Sequence, residues 1–282
     1  MDKDALRSFW DRNAKQEQNR EQVWPIKQVH TDLLWREIHR CTANQTGLRI
    51  LDAGAGPGRF SIPLVEEGQS VVHLDISPKM IELAQQESES RRLKNIEFTE
   101  GSVDDLTMFD DNSFDIVLCL DAPLSFCYKT YETAISELVR VARSTLILCV
   151  FNRLGAIFED GLGFDLTHYG RLKTILDVYE TGTLLVTDEM RKLQPTLFPS
   201  WHAFRPEELK ELLENNHCRV DRISAPCSLA RFVEPTLLPQ PNDRDLYQQF
   251  LNFEEKIDAD PSVLGVGMIR GSGLLVIASK LE

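Results

Sequence analysis

The stretch "LRILDAGAGPGRFSIPL", residues 48–64, constrains this chain more than any other. An apolar run stops at Asp52, glycines stand at 54, 56 and 58, and an amphipathic pattern follows. A strand feeding a helix through alternate glycines suits a nucleotide-like ligand. Gly54, Gly56 and Gly58 remove Cβ atoms where such a ligand must touch backbone. The helix behind them presents free N–H groups and a partial positive charge.

The strand–helix alternation continues along the chain. "SVVHLD" (70–75), "NIEFTE" (95–100), "FDIVLCL" (114–120) and "STLILCV" (144–150) read as strands. Residues 58–67, about 78–91 and 129–142 read as helices, the first closed by Gly68 and the second opened by Ser77 and Pro78. Residues 205–216 predict another helix, and 218–224 and 272–280 two last strands. This pattern predicts an α/β fold, a doubly wound, mostly parallel seven-stranded Rossmann-like sheet buried on both faces.

The divisions expected are an N-terminal helical segment (1–45), a core (46–150) and a cap insertion (151–203). A core helix and strand (204–225), a second insertion (226–270) and the final strand (271–282) complete the chain. If the sheet is parallel there, both insertions leave from the carboxyl ends of strands, where open α/β sheets bind ligands. They would form a helical cap that, with the N-terminal helices, roofs one crevice.

Composition narrows the partners. The formal net charge is −13, and both insertions carry more acidic than basic residues, which disfavours nucleic acid and anionic membrane as partners. The N-terminus "MDKDALRSFW" lacks an apolar signal region and no apolar run is long enough to cross a bilayer, so a cytoplasmic location is expected. Six cysteines form no CxxC pair and fit buried free thiols in a reduced compartment. No His/Cys/Asp cluster has ligand spacing, so no metal is expected.

Two ligand families use a glycine turn after a strand. The dinucleotide fingerprint GxGxxG would need a glycine where Arg59 stands, and the third glycine comes one residue early. The pattern is DxGxGxG, and Asp52 ahead of it favours a cation or amine. "ILDAGAGPGRF" resembles the first motif of class I S-adenosylmethionine (SAM) methyltransferases, and the likeness covers roughly 46–150 plus the final helix and strands. The resemblance implies SAM as cofactor, S-adenosylhomocysteine (SAH) as product, and a cofactor role for Asp52, Gly54, Gly56 and Gly58. It places a ribose-binding acid at Asp75, beside Ile76, with the apolar Met80 packing near the cofactor. Where many members read Gly-Asp-Ala, this chain has Ser102 and Val103. The adenine contact then falls to Ser102, to the Val103 N–H or to Asp104. After the fourth strand, Leu120 would offer backbone to the cofactor and Asp121 would face the methyl-transfer site. The Lys-Pro-Gly-Gly turn usual before strand five is replaced by "VARST".

Methyl transfer is an in-line displacement in which positioning carries much of the rate. A hydroxyl or protonated amine acceptor would gain from a base. Asp121, His168 and His202 are the candidate catalytic residues, with Tyr169, Trp201, Asn152 and Arg153 as further candidates near the crevice. Phe9, Trp10 and Arg12 could close over the cofactor. An enclosed cleft suits a small-molecule acceptor, and the insertions could pair two copies as a homodimer. The expected function is direct methyl transfer from SAM to a small molecule. An NAD(P)-dependent oxidoreductase and a non-catalytic SAM-binding module are the alternatives.

Overall fold

A computed structural model describes residues 3–43, 45–157, 161–264 and 273–281. Parts of the second insertion and of the "SG" lead-in to the last strand therefore lie outside the described residues. Three helices open the chain: α1 (Lys3–Gln18), α2 (Arg20–Val23) and α3 (Pro25–Thr42), the last started by Pro25 as the sequence predicts. The core then alternates β1 (Arg49–Ala53), α4 (Ser61–Glu66), β2 (Ser70–Asp75), α5 (Pro78–Ser90), β3 (Ile96–Glu100) and β4 (Phe114–Cys119). It continues with α6 (Pro123–Phe126), α7 (Tyr131–Val141) and β5 (Ala142–Val150). Helix α4 is shorter than the pattern predicts, because residues 58–60 are spent on turning the chain. The Ser77 hydroxyl accepts the Met80 N–H at 3.1 Å, which fixes the start of α5.

The cap insertion holds α8 (Arg153–Ala156), α9 (Leu162–Tyr169), α10 (Thr174–Thr181) and α11 (Asp188–Leu193). It is not purely helical. A two-stranded antiparallel sheet pairs β6 (Thr183–Leu184) with β7 (Trp201–His202), strands too short to leave a sequence signature. After it come α12 (Pro206–Asn215), β8 (Cys218–Ser224), α13 (Arg244–Asp258), α14 (Pro261–Leu264) and β9 (Leu274–Lys280).

The main sheet has seven strands in the order β3-β2-β1-β4-β5-β9-β8. The pairs among the first five are parallel, and β9 lies antiparallel between β5 and β8. Because β8 is antiparallel to β9, it runs with the first five strands. Both insertions therefore leave from the carboxyl edge of the sheet, as does the β1–α4 turn. Alternate strand residues point to opposite faces. Leu51, Leu74, Val117 and Leu148 pack with Leu138 and Leu213 of α7 and α12. Ile50, Val71, Leu118 and Ile147 pack with Leu34, Ile38 and Leu64 of α3 and α4. Burial of both faces fixes register, and so fixes which residues emerge at the carboxyl edge.

Candidate functional site

At that edge a pocket of about 1020 Å³, including its open mouth, lies between the sheet and α1. The β1–α4 turn forms one wall. The Gly54 and Ala55 N–H groups donate to the Leu74 carbonyl at 2.7 and 3.0 Å. The Gly56 N–H donates to Asp75 Oδ2 at 2.7 Å, and the Ser77 N–H to Asp75 Oδ1 at 2.8 Å. Backbone thus aims the Asp75 carboxylate from both sides, and burial pushes its pKa up to about 6.

The three glycines do different work. Their φ values are 79°, 59° and 89°, in the left-handed region that favours glycine. A Cβ on Gly54 would stand 2.2 Å from Pro123 Cγ, and one on Gly58 2.9 Å from Ile62 Cγ1. A Cβ on Gly56 would meet nothing within 4 Å. Only Gly56 leaves room for a ligand, while Gly54 and Gly58 are dictated by packing inside the protein. Gly54 and Gly56 line the pocket and Gly58 does not.

Asp52 is displaced from its expected role in a similar way. It is buried beneath the turn, accepts the Ser61 hydroxyl at 2.6 Å and does not line the pocket. Burial pushes it up to about 6. It supports the loop rather than facing a ligand.

The structure brings Ile76, Met80, Ser102, Val103, Asp104, Leu120 and Asp121 to the same pocket as Asp75. Ser102 Oγ donates to Asp104 Oδ1 at 2.5 Å, Thr130 Oγ1 to Oδ2 at 2.7 Å, and Lys3 Nζ reaches Oδ1 at 2.8 Å. Burial would raise the Asp104 pKa, but these partners outweigh it and hold it below the usual range. Ser102 and Asp104, alternatives in the sequence, act as one unit in the fold.

Asp121 has φ 60° and the following Ala122 85°, a strained turn that swings the carboxylate into a buried ionic knot. Arg59 Nη1 is 2.7 Å from Asp121 Oδ2, and Arg20 also pairs with that oxygen. His30 Nδ1 lies 3.3 Å from Oδ1. Arg59 reaches Glu17 at 2.8 Å and Glu21 at 3.0 Å, and Arg20 reaches Glu17 at 2.8 Å. Burial would raise Asp121, yet the Arg20 and Arg59 guanidinium groups overcome it and hold the carboxyl well below its ordinary value. A carboxylate so stabilised is a poor proton acceptor. It is a fixed negative charge.

The fold also gathers His30, Asp121 and Cys149 so that their donor atoms lie within 4.8 Å of one another, a grouping no sequence spacing betrays. Burial pushes His30 down to about 3. The two guanidinium groups that already neutralise Asp121 make this cluster a poor match for a dication.

The other candidates fall elsewhere. His202 is buried, with Nδ1 2.9 Å from Thr183 Oγ1 and Nε2 3.0 Å from Glu208 Oε1, and it stacks on Tyr131 at 4.0 Å. It braces the cap against α12. His168 packs on Phe164 at 4.6 Å. Asn152 accepts the Gly155 N–H at 3.1 Å and caps α8, while Arg153 donates to the Ala203 carbonyl at 3.2 Å. None of His168, Tyr169, His202, Trp201, Asn152 or Arg153 lines the pocket. From the N-terminal trio only Trp10 does; Phe9 is buried beside it and Arg12 is exposed.

Among the lining residues that sequence reasoning missed are Lys3, Leu6, Glu17, Arg59, Phe126 and Thr130. Helix α1 is bolted over the pocket by polar contacts. Arg7 Nε donates to the Ile76 carbonyl at 3.2 Å and Ser77 Oγ to Asp11 Oδ1 at 2.6 Å. The one available signal is Arg59, which stands where the dinucleotide fingerprint needs a glycine.

Residues 50–145 match the methyltransferase domain family. The chain is 31% identical over 94 residues to the tRNA 5-carboxymethoxyuridine methyltransferase of Escherichia coli, covering 32% of this chain and 36% of that one. It is 32% identical over 124 residues to the magnesium-protoporphyrin O-methyltransferase of Synechocystis, covering 41% and 53%. The chain spans about a third to a half of the length of these curated relatives.

Among solved structures, magnesium protoporphyrin IX methyltransferase from Synechocystis with bound SAM aligns over 100% of this chain and 98% of that one, with TM-score 0.58 and 18% identity. A SAM-dependent methyltransferase from Methanosarcina mazei covers 84% and 94%, with TM-score 0.52 and 23% identity. These likenesses show the Rossmann-like fold that the sequence predicts.

Proposed function

We propose that the chain is a SAM-dependent methyltransferase that acts on a small-molecule acceptor. The observation that carries this is the joint lining of one pocket by the Gly54–Gly56 backbone and by Asp75, whose carboxylate the same backbone orients. The open space at Gly56, where a Cβ would intrude, suits a ligand laid against the chain.

Asp75 would accept the ribose hydroxyls, and Ser102, Val103 and Asp104 would meet the adenine. Gly54, Gly56 and Leu120 would hold the methionine end, with Asp121 and Glu17 favouring its positive charge and Arg59 its carboxylate. When bound, SAM supplies an activated methyl group, whose transfer to an acceptor lone pair leaves the bonding electrons on sulfur as SAH. The chain itself contributes positioning and exclusion of water by α1. No base is assigned, so a neutral O–H or N–H acceptor would release its proton to solvent.

The fold of solved SAM-dependent methyltransferases supports this reading over an NAD(P)-dependent oxidoreductase. The net charge of −13 supports a small acceptor. One relative is a tRNA methyltransferase, which makes RNA the second reading. Calorimetric titration with SAH, with NADH in parallel, tests the cofactor. One-site binding of SAH alone is expected, and binding of NADH alone would overturn the assignment. A gel-shift titration with bulk tRNA separates the acceptors, and retention at physiological salt would favour RNA.

A further inference from the structure

We infer that the methyl acceptor is a planar aromatic ring system, held by a wall of aromatic side chains that enters the pocket lining at Trp10 and Phe126. This rests on the methyltransferase reading above. Six rings from four segments form one run of contacts that reaches the pocket through Trp10 and Phe126. Phe9 and Trp10 come from α1 and Phe126 from α6. Phe151 follows β5, and Phe198 and Trp201 come from the cap. Trp10 and Phe126 meet edge to face at 5.3 Å, and both line the pocket. Phe198 lies 5.7 Å from Phe126, 5.7 Å from Phe9 and 6.2 Å from Trp10. Phe126 continues to Phe151 at 5.3 Å, and Phe151 to Trp201 at 5.7 Å.

Three features separate this wall from a packing cluster. Its position is the first. Lys3 on Asp104 marks one end of the pocket and Glu17 on Arg59 the other. Trp10 stands between them on the same helix, so a cofactor that spans both ends presents its middle to the rings. Accessibility is the second. Phe198 touches three rings and still keeps 40% of its surface exposed, and Phe151 and Trp201 are only half-buried. A core would have sealed them.

Residue choice is the third. The other exposed large apolar side chains of the cap are mainly leucines, among them Leu166, Leu172, Leu176 and Leu185. Leucine would serve for burial alone. Ring faces and edges instead favour another ring, offset or edge to face. The charged lining residues are already engaged with one another or with backbone, so the wall offers an uncharged surface.

The test uses the full chain loaded with SAH. Calorimetric titration compares 2-naphthol with decahydro-2-naphthol, which carries the same hydroxyl on a puckered, saturated frame. Binding of 2-naphthol roughly tenfold tighter is expected, and Phe198→Leu should shrink that ratio roughly three- to tenfold while SAH affinity stays unchanged. Phe151→Leu, tested likewise, guards against one variant that misfolds. Equal affinity for the two probes, no binding of 2-naphthol to the SAH-loaded protein, or variants that lower only the melting temperature would each overturn the inference. If SAH itself does not bind, the methyltransferase reading falls first and this inference with it. If SAH binds and the probes are not discriminated, this inference alone falls.

Discussion

Asp75 and Asp104 line the same pocket and are held in opposite ways. Asp75 is fixed by backbone N–H groups from its own strand end and the neighbouring turn. Asp104 is fixed by side chains from α1, from its own loop and from Thr130. The first arrangement needs only local chain geometry, and the glycine turn writes it into the sequence. The second needs three segments to meet, and nothing local records it. The same contrast divides the whole site into a floor made by turns and a roof made by α1.

The contrast can be broken most sharply at the glycines. Gly54→Ala should destabilise the fold by about 2–5 kcal/mol, from left-handed strain plus the Pro123 clash, and lower the melting temperature by roughly 5–15 °C. Gly56→Ala has no such clash and should cost only about 1–2 kcal/mol of stability, yet weaken SAH about tenfold or more, because its Cβ enters the pocket. Scanning calorimetry and SAH titration on both variants check the pair. Equal stability losses would mean that the floor is not divided as described.

Asp75→Ala should come next, with SAH affinity lower by about 1.5–3 kcal/mol, roughly 10- to 150-fold. Normal SAH binding by this variant would remove Asp75 from the ribose site.

Acidity supplies a third test with two opposite signs. Burial raises Asp52 and Asp75 to about 6, so the folded state binds these protons more tightly than the unfolded chain. Their contribution to stability is full below about pH 4 and is lost as pH rises through about 6. SAH affinity should move the other way, weakening as pH falls below about 6 and Asp75 takes up its proton. Affinity that does not change between pH 7 and 5 would show that the carboxylate is not a ligand contact.

The smallest effect belongs to the roof. Lys3 is half exposed in its pair with Asp104, so Lys3→Ala should change SAH affinity by at most about fivefold. A larger loss, read by the same titration, would mean that the roof matters as much as the floor.

The succession of strands and helices and the residues at the ends of β1, β2 and β4 were legible because period and turn chemistry are local. Gly56, Asp75, Val103 and Leu120 stand in the pocket where the motif order puts them. Asp52 and Gly58 look like ligand contacts in the sequence because motif positions do not reveal which way a buried group faces. His202 was attractive as a chemical group, but its stacking on Tyr131 is a long-range fact. Glu17 and Arg20 were invisible for the same reason. Opposite charges that meet across a fold leave no spacing rule.

That ionic knot bears on where the smallest self-sufficient piece of this protein ends. The family match runs from residue 50 to residue 145 and contains Asp121 and Arg59, but Glu17, Glu21, Arg20 and His30 lie upstream of it. A fragment cut at those borders would keep Asp121 and Arg59 but lose Arg20, one of the two guanidinium groups that neutralise the aspartate, and both glutamates that pair with Arg59, a disruption of about 3–5 kcal/mol. The N-terminal helices are therefore part of the inheritable unit, and any recombination that exchanges this domain between proteins has to carry them along.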